Sequence, residues 1–170
     1  MQAAALSLAS GVERVAVYKL YDQGLPGGAE SFGILSPADG SPRPAFYAWQ
    51  MVINQFSGVT SGQMGQTETA DVVRLNMNNG QQAFVAWART AADTMIAVNA
   101  LSDKAYLIDQ TGNTVMLDPV NGEFQVPLPA AMCNETDGCA VGGNTFVLIQ
   151  NSGAGVREII GESSRLVNFN

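Results

Sequence analysis

Val72-Val-Arg-Leu-Asn-Met77, the dipeptide Asn79-Gly80 and Ala83-Phe-Val-Ala-Trp-Ala-Arg89 follow one another within 18 residues. Both flanking runs are dense in Val, Phe and Trp, residues that suit a pleated, partly buried surface. The Asn-Gly pair between them supplies the turn that a tight hairpin needs. This stretch therefore reads as two antiparallel strands. Working towards the C-terminus, further short runs of the same kind lie at Thr94–Val98, Ala105–Ile108, Thr114–Leu117, Phe124–Leu128 and Phe146–Ile149. Thr111-Gly-Asn113 and Asn121-Gly122 punctuate them as turns. Strands at spacings of roughly 8–12 residues indicate a sandwich or barrel, and the expectation for residues 70–150 is an antiparallel β-sandwich of about seven strands. Residues 151–170 carry no strong pattern and read as a tail.

Towards the N-terminus the character changes. Residues 59–69, rich in Ser, Gly, Gln and Thr, have no apolar periodicity and read as a linker. Ser41-Pro-Arg-Pro44 opens a helix, proline being tolerated in the first turn. Ala45, Trp49, Val52, Ile53 and Phe56 give that helix one apolar stripe, and Gly58 ends it. Gln2 to Ser10 form an Ala/Leu-rich helix closed by Gly11. Val12-Glu-Arg-Val-Ala-Val-Tyr-Lys-Leu-Tyr21 reads as a strand that begins exposed and becomes buried. Asp22 to Ala29 is a loop, Phe32–Leu35 a short strand and Pro37-Ala-Asp-Gly40 a turn. Helix, glycine and apolar strand make the rhythm of an α/β unit. A single strand of that kind has no neighbours within residues 1–58, so this part reads as a piece of something larger.

Composition narrows the chemistry. The 170 residues carry a net charge of -7, and the 8 basic ones are scattered, which argues against nucleic acid and against an anionic membrane surface. No apolar run approaches membrane-spanning length. With His 0, Ser-His and Cys-His nucleophiles and imidazole acid–base chemistry are excluded. Glycoside hydrolysis, which runs on carboxylates, remains open. Cys133 and Cys139 enclose a short polar loop without the further ligands of a zinc site. They read as a disulfide in an extracellular or periplasmic protein, the alternative being two free thiols in a cytosolic one. No signal peptide opens the chain: Met1 to Ser10 lacks a basic leader region and reads as helix. No metal site and no cofactor is expected. Asp22 to Gly28 lacks the Lys-Ser/Thr of a phosphate loop, and Asp109 to Asn113 has too few carboxylates for a calcium loop. Asn134-Glu-Thr136 has the form of a glycosylation sequon, and Trp49 and Trp87 read as core residues.

Tyr18-Lys-Leu-Tyr-Asp22, Phe32-Gly-Ile-Leu35, Asp39-Gly40 and Arg43-Pro-Ala-Phe-Tyr47, in this order and spacing, resemble the end of the catalytic barrel of clan-A-type glycoside hydrolases. Val115 to Gly122 and Leu128-Pro-Ala130 look like later strands of the β-sandwich that follows that barrel. The resemblance covers residues 2 to 150. It implies a mixed fold: a terminal β/α unit of a TIM (β/α)8 barrel over 1–58, then the sandwich. It also implies a secreted enzyme whose two catalytic Glu residues lie on barrel strands outside this chain, so no catalytic residue is assigned here. The implied partner is an oligo- or polysaccharide bound by the complete barrel.

By barrel logic Tyr18, Lys19, Tyr21 and Asp22 lie on the active-site face as substrate-binding candidates. An aromatic ring there stacks on a sugar's C–H face while its hydroxyl bonds a sugar hydroxyl. The alternative is that the tyrosines pack the rim while Lys19 pairs with a carboxylate. One other function competes with a brace for the barrel: a stand-alone carbohydrate-binding module, exposing aromatics such as Phe84, Trp87 and Tyr106.

Overall fold

The computed structural model describes residues 1–22, 32–136 and 138–151, with side chains as far as 150, and the backbone of 156–160, 163–166 and 168–169. Among the described residues two helices, α1 (Gln2–Ala9) and α2 (Pro44–Phe56), precede thirteen strands. These are β1 (Val59–Gln66), β2 (Ala70–Met77), β3 (Gln81–Ala88), β4 (Thr94–Asn99), β5 (Ala105–Asp109), β6 (Thr114–Leu117), β7 (Glu123–Leu128), β8 (Met132–Asn134), β9 (Gly138–Val141), β10 (Phe146–Asn151), β11 (Val156–Ile160), β12 (Ser163–Leu166) and β13 (Asn168–Phe169).

The strands build a seven-stranded sheet, β13-β1-β2-β3-β10-β5-β6, a four-stranded sheet, β12-β11-β4-β7, and the β8-β9 hairpin. Every pairing between these strands is antiparallel. One face of the large sheet, through Val72, Phe84 and Leu148, packs on Ile96, Phe124 and Val126 of the small one. Its other face, through Val73, Val85 and Val147, packs on Ala4, Ala5, Val52 and Phe56 of the helices. The molecule is therefore a stack of three layers. A strand buried on both faces has no polar alternation, and β3 accordingly runs Ala83-Phe-Val-Ala-Trp-Ala88 without a charge.

The turn chemistry reads through into the backbone. Gly11 has φ 81°, Val12 N–H donates to Ser7 O at 3.0 Å and Gly11 N–H to Leu8 O at 3.1 Å. That is the paired bonding of a Schellman helix end. Asn121 and Gly122 both have positive φ, 53° and 80°, and Val120 and Glu123 exchange hydrogen bonds across them. This is the type I′ geometry that an Asn-Gly pair favours.

The mixed barrel-plus-sandwich fold is not what forms. The chain is mostly antiparallel β, and Val12–Tyr21, expected as a barrel strand, belongs to no sheet. It forms neither helix nor strand, and among the described residues it meets other strand-like backbone only at Tyr21, in an isolated parallel bridge to Leu35. Val12, Tyr18 and Leu20 are 43%, 83% and 58% exposed. Val and Tyr favour a strand because they pack well between cross-strand neighbours, and before Tyr21 this segment has none among the described residues. Phe32–Leu35 likewise amounts to single bridges at Leu35, to Tyr21 and to Pro42.

Three other differences have local causes. The stretch read as a linker contains β1, whose register with β2 runs from Val59↔Met77 to Gln66↔Asp71. Its glycines serve the layer above: a Cβ on Gly62 would lie 2.8 Å from Ala9 Cα, so α1 can lie this close only over a glycine. The buried arc of α2 holds Met51, Val52 and Phe56, whereas Ile53 is 65% exposed and Ala45 is exposed too. Residues read as a patternless tail supply the backbone of β11, β12 and β13. The seven strands expected between 70 and 150 all form, divided between the two sheets.

Candidate functional site

The four residues singled out as sugar-binding candidates sit where the Val12–Tyr21 segment meets the Phe32–Arg43 turn region. Ile34 N–H donates to Lys19 O at 3.2 Å and Leu35 N–H to Leu20 O at 3.0 Å, which ties the two stretches together. The Tyr18–Lys19 peptide bond is cis.

Asp22 is the hub of this junction and is not open to a ligand. Its side chain is fully buried, with Lys19 Nζ 3.0 Å from Oδ1 and Arg43 Nη1 3.8 Å from Oδ2. Gly33 N–H donates to Oδ2 at 2.6 Å, and Arg43 Nη1 donates to Gly33 O at 2.8 Å. A Cβ on residue 33 would lie 2.7 Å from Asp22 Oδ2, so this hydrogen bond requires glycine there. A buried carboxylate is tolerable only with such partners. Arg43, the N-cap residue of α2, is the member of this cluster that sequence reasoning did not connect to Asp22. Its only signal was the Arg-Pro helix start.

The other three candidates differ in access. Lys19 is committed to Asp22, and its ammonium stands 5.9 Å from the centre of the Tyr18 ring. Tyr21 is 39% exposed and donates its hydroxyl to Pro37 O at 3.0 Å. Tyr18 is the open one, with a ring presented to solvent beside a held cation. The residues of the 23–29 loop lie outside the described residues.

Acidic groups elsewhere cap turns. Asp39 accepts from Ser41 Oγ at 2.7 Å and from Ser41 N–H at 3.0 Å, and these bonds hold its carboxyl down at about 2. For Asp109 partial burial pushes the pKa up, but hydrogen bonds from Thr111 and Asn113 outweigh it and lower the net value. Among the described residues no three His, Cys, Asp or Glu side chains converge to hold a metal ion.

Phe84, Trp87 and Phe124 are 1%, 3% and 0% exposed, so they build the core and offer no flat platform. Tyr106, on β5, is 53% exposed. Cys133 and Cys139 form a disulfide across the β8-β9 hairpin. No described helix is long and apolar enough to cross a membrane. No protein-family model matches the sequence, and no curated protein is similar enough to count as a relative.

Proposed function

We propose that this chain is a non-catalytic portion of a secreted glycoside hydrolase, in which the β-sandwich braces a catalytic domain that supplies the carboxylate pair. One observation carries the reading: the outer layer of the molecule is half of a surface. From Glu13 to Tyr18 the backbone belongs to no helix or strand, and among the described residues it makes no backbone hydrogen bond to another segment. Beside it, Val15, Trp49, Ile53 and Phe56 line an apolar groove of about 270 Å³. Backbone without partners among the described residues, flanked by exposed Val12, Leu20 and Ile53, suits the backbone and apolar side chains of a packed neighbour. The disulfide supports secretion.

In this reading Tyr18 stacks on the sugar at the domain boundary, while Lys19 and Asp22 fix the segment that carries it. The chain alone does not hydrolyse glycosides. The test is the intact mass of the protein captured from its source by antibody. A mass well above 17.9 kDa, copurifying with glycosidase activity, is the expected result. A mass of 17.9 kDa would end the brace reading.

A second reading, a stand-alone carbohydrate-binding module, is favoured by the 83% exposure of Tyr18 beside the Lys19 ammonium. Retardation in polysaccharide gels that disappears in Tyr18→Ala supports it, and free migration in every gel counts against it.

A further inference from the structure

Away from the Tyr18 surface, a second group of polar side chains gathers on the helix-side face of the large sheet. Strand register brings it together. Gln66 of β1 is the cross-strand partner of Asp71 of β2, and Asp71 is the partner of Trp87 of β3. Arg89 follows two residues after Trp87, on the same side of the chain. These residues and the β8-β9 hairpin, through Cys139, Ala140 and Gly142, enclose a hollow of about 220 Å³. Gly142 lets the hairpin lie against the indole, since a Cβ there would come 2.2 Å from Trp87 Cδ1.

Inside the hollow the hydrogen-bonding capacity is only partly used. Asp71 Oδ1 accepts from Gln66 Nε2 at 2.8 Å and lies 3.4 Å from Arg89 Nε. Arg89 Nη1 donates to Thr67 O at 2.8 Å. Asp71 Oδ2, Arg89 Nη2, Gln66 Oε1 and the Trp87 indole N–H have no hydrogen-bond partner among the described residues. Two of those residues are deeply buried, Asp71 at 9% and Trp87 at 3% exposure. Unused donors and acceptors gathered around one hollow indicate a place for a guest.

The chemistry of the guest follows from the four groups. A carboxylate paired with a guanidinium presents no net charge, so neither an anion nor a cation is favoured. Two donors and two acceptors side by side match neighbouring hydroxyls, each of which both gives and takes a hydrogen bond. The volume is below the ~300–1,000 Å³ that encloses a drug-sized ligand, so one ring fits and an extended chain does not. We propose that this hollow binds a single neutral sugar ring, such as the end residue of a glycan, through a pair of adjacent hydroxyls. This inference goes beyond the brace reading and does not depend on it.

The test follows the Trp87 indole N–H resonance of the isotopically labelled chain during titration with methyl α-D-mannopyranoside, methyl β-D-glucopyranoside and methyl β-D-galactopyranoside. The expected result is a saturable shift with at least one glycoside. Asp71→Asn should then weaken binding on the order of ten- to a hundredfold, as expected for a lost hydrogen bond to a charged group. Gln66→Leu, at an exposed position, should weaken it as well with the fold intact, so the test survives if Asp71→Asn fails to fold. An indole resonance unmoved by all three glycosides overturns the proposal. So does a shift that both variants keep, or one that acetamide reproduces in full. A source mass of 17.9 kDa would end the brace reading and leave this titration standing.

Discussion

Replacing Asp22 by Ala should release the outer segment while leaving the sandwich intact. The carboxylate is fully buried, with Lys19 at 3.0 Å, Arg43 at 3.8 Å and the Gly33 N–H at 2.6 Å. Removing it strands two cations whose side chains are 30% and 29% exposed, which water can re-solvate, and one buried N–H, which it cannot. Breaking a buried pair costs about 3–5 kcal/mol, and the exposed ends of Lys19 and Arg43 put this site near 3. That is on the order of a hundredfold in the local opening equilibrium. The amides of Ile34 and Leu35, bonded to Lys19 O and Leu20 O, report the opening directly by hydrogen exchange. Their protection should fall by about two decades, while Val85 and Leu148 in the sheet core keep theirs. Asp22→Asn, which retains an acceptor for Gly33, should fall between wild type and Ala. Unchanged exchange at residues 34 and 35 in the Ala variant would refute the assignment of Asp22 as the hub.

Replacing both Cys133 and Cys139 by Ser should lower stability to urea by about 2 kcal/mol, the chain-entropy value for so short a loop, and an unchanged midpoint would mean the closed loop adds nothing. Gly62→Ala should cost about 1–3 kcal/mol by forcing α1 away from β1, read as a lower thermal midpoint with unchanged β signal. The Asp39 carboxyl, held from 3.8 down to about 2, stabilises the turn fully above pH 3.8 and loses that contribution as pH falls through about 2. The stability gap between wild type and Asp39→Asn should therefore be constant near neutrality and shrink below pH 4, whereas a gap that widens in acid would reverse the sign of the argument.

The strands β2 to β7 and β10 were legible because each is an apolar run closed by a turn residue whose backbone demand is local, whereas the β8-β9 hairpin read only as a polar loop between the cysteines. β1 was not, because Val-Thr-Ser-Gly-Gln-Met-Gly-Gln has little intrinsic strand character and is recruited by β2, by β13 and by a helix that needs Gly62 beneath it. Val12–Tyr21 misled in the opposite direction, since strand propensity expresses the packing of neighbours that this segment lacks. Tyr18 was legible as an exposed aromatic. The burial of Asp22 was hidden, because its partner Arg43 lies 21 positions further on and meets it only through the Gly33 contact. The Gln66, Asp71 and Trp87 row depends on cross-strand register, which single positions do not encode.

The seven-stranded sheet, covered on one side by helices and on the other by a second sheet, has a bearing on how the sequence can drift. A sheet with one wet face can exchange every second residue freely. Here Ala83 to Ala88 sit at 3% exposure or less, so mutation of β3 has no silent alternate positions. Substitutions should accumulate instead in the turns, such as Asn79-Gly80. Lineages of this protein would then diverge at the rim while the middle strand stays nearly fixed, and an epitope tag or fluorophore is best carried at that rim.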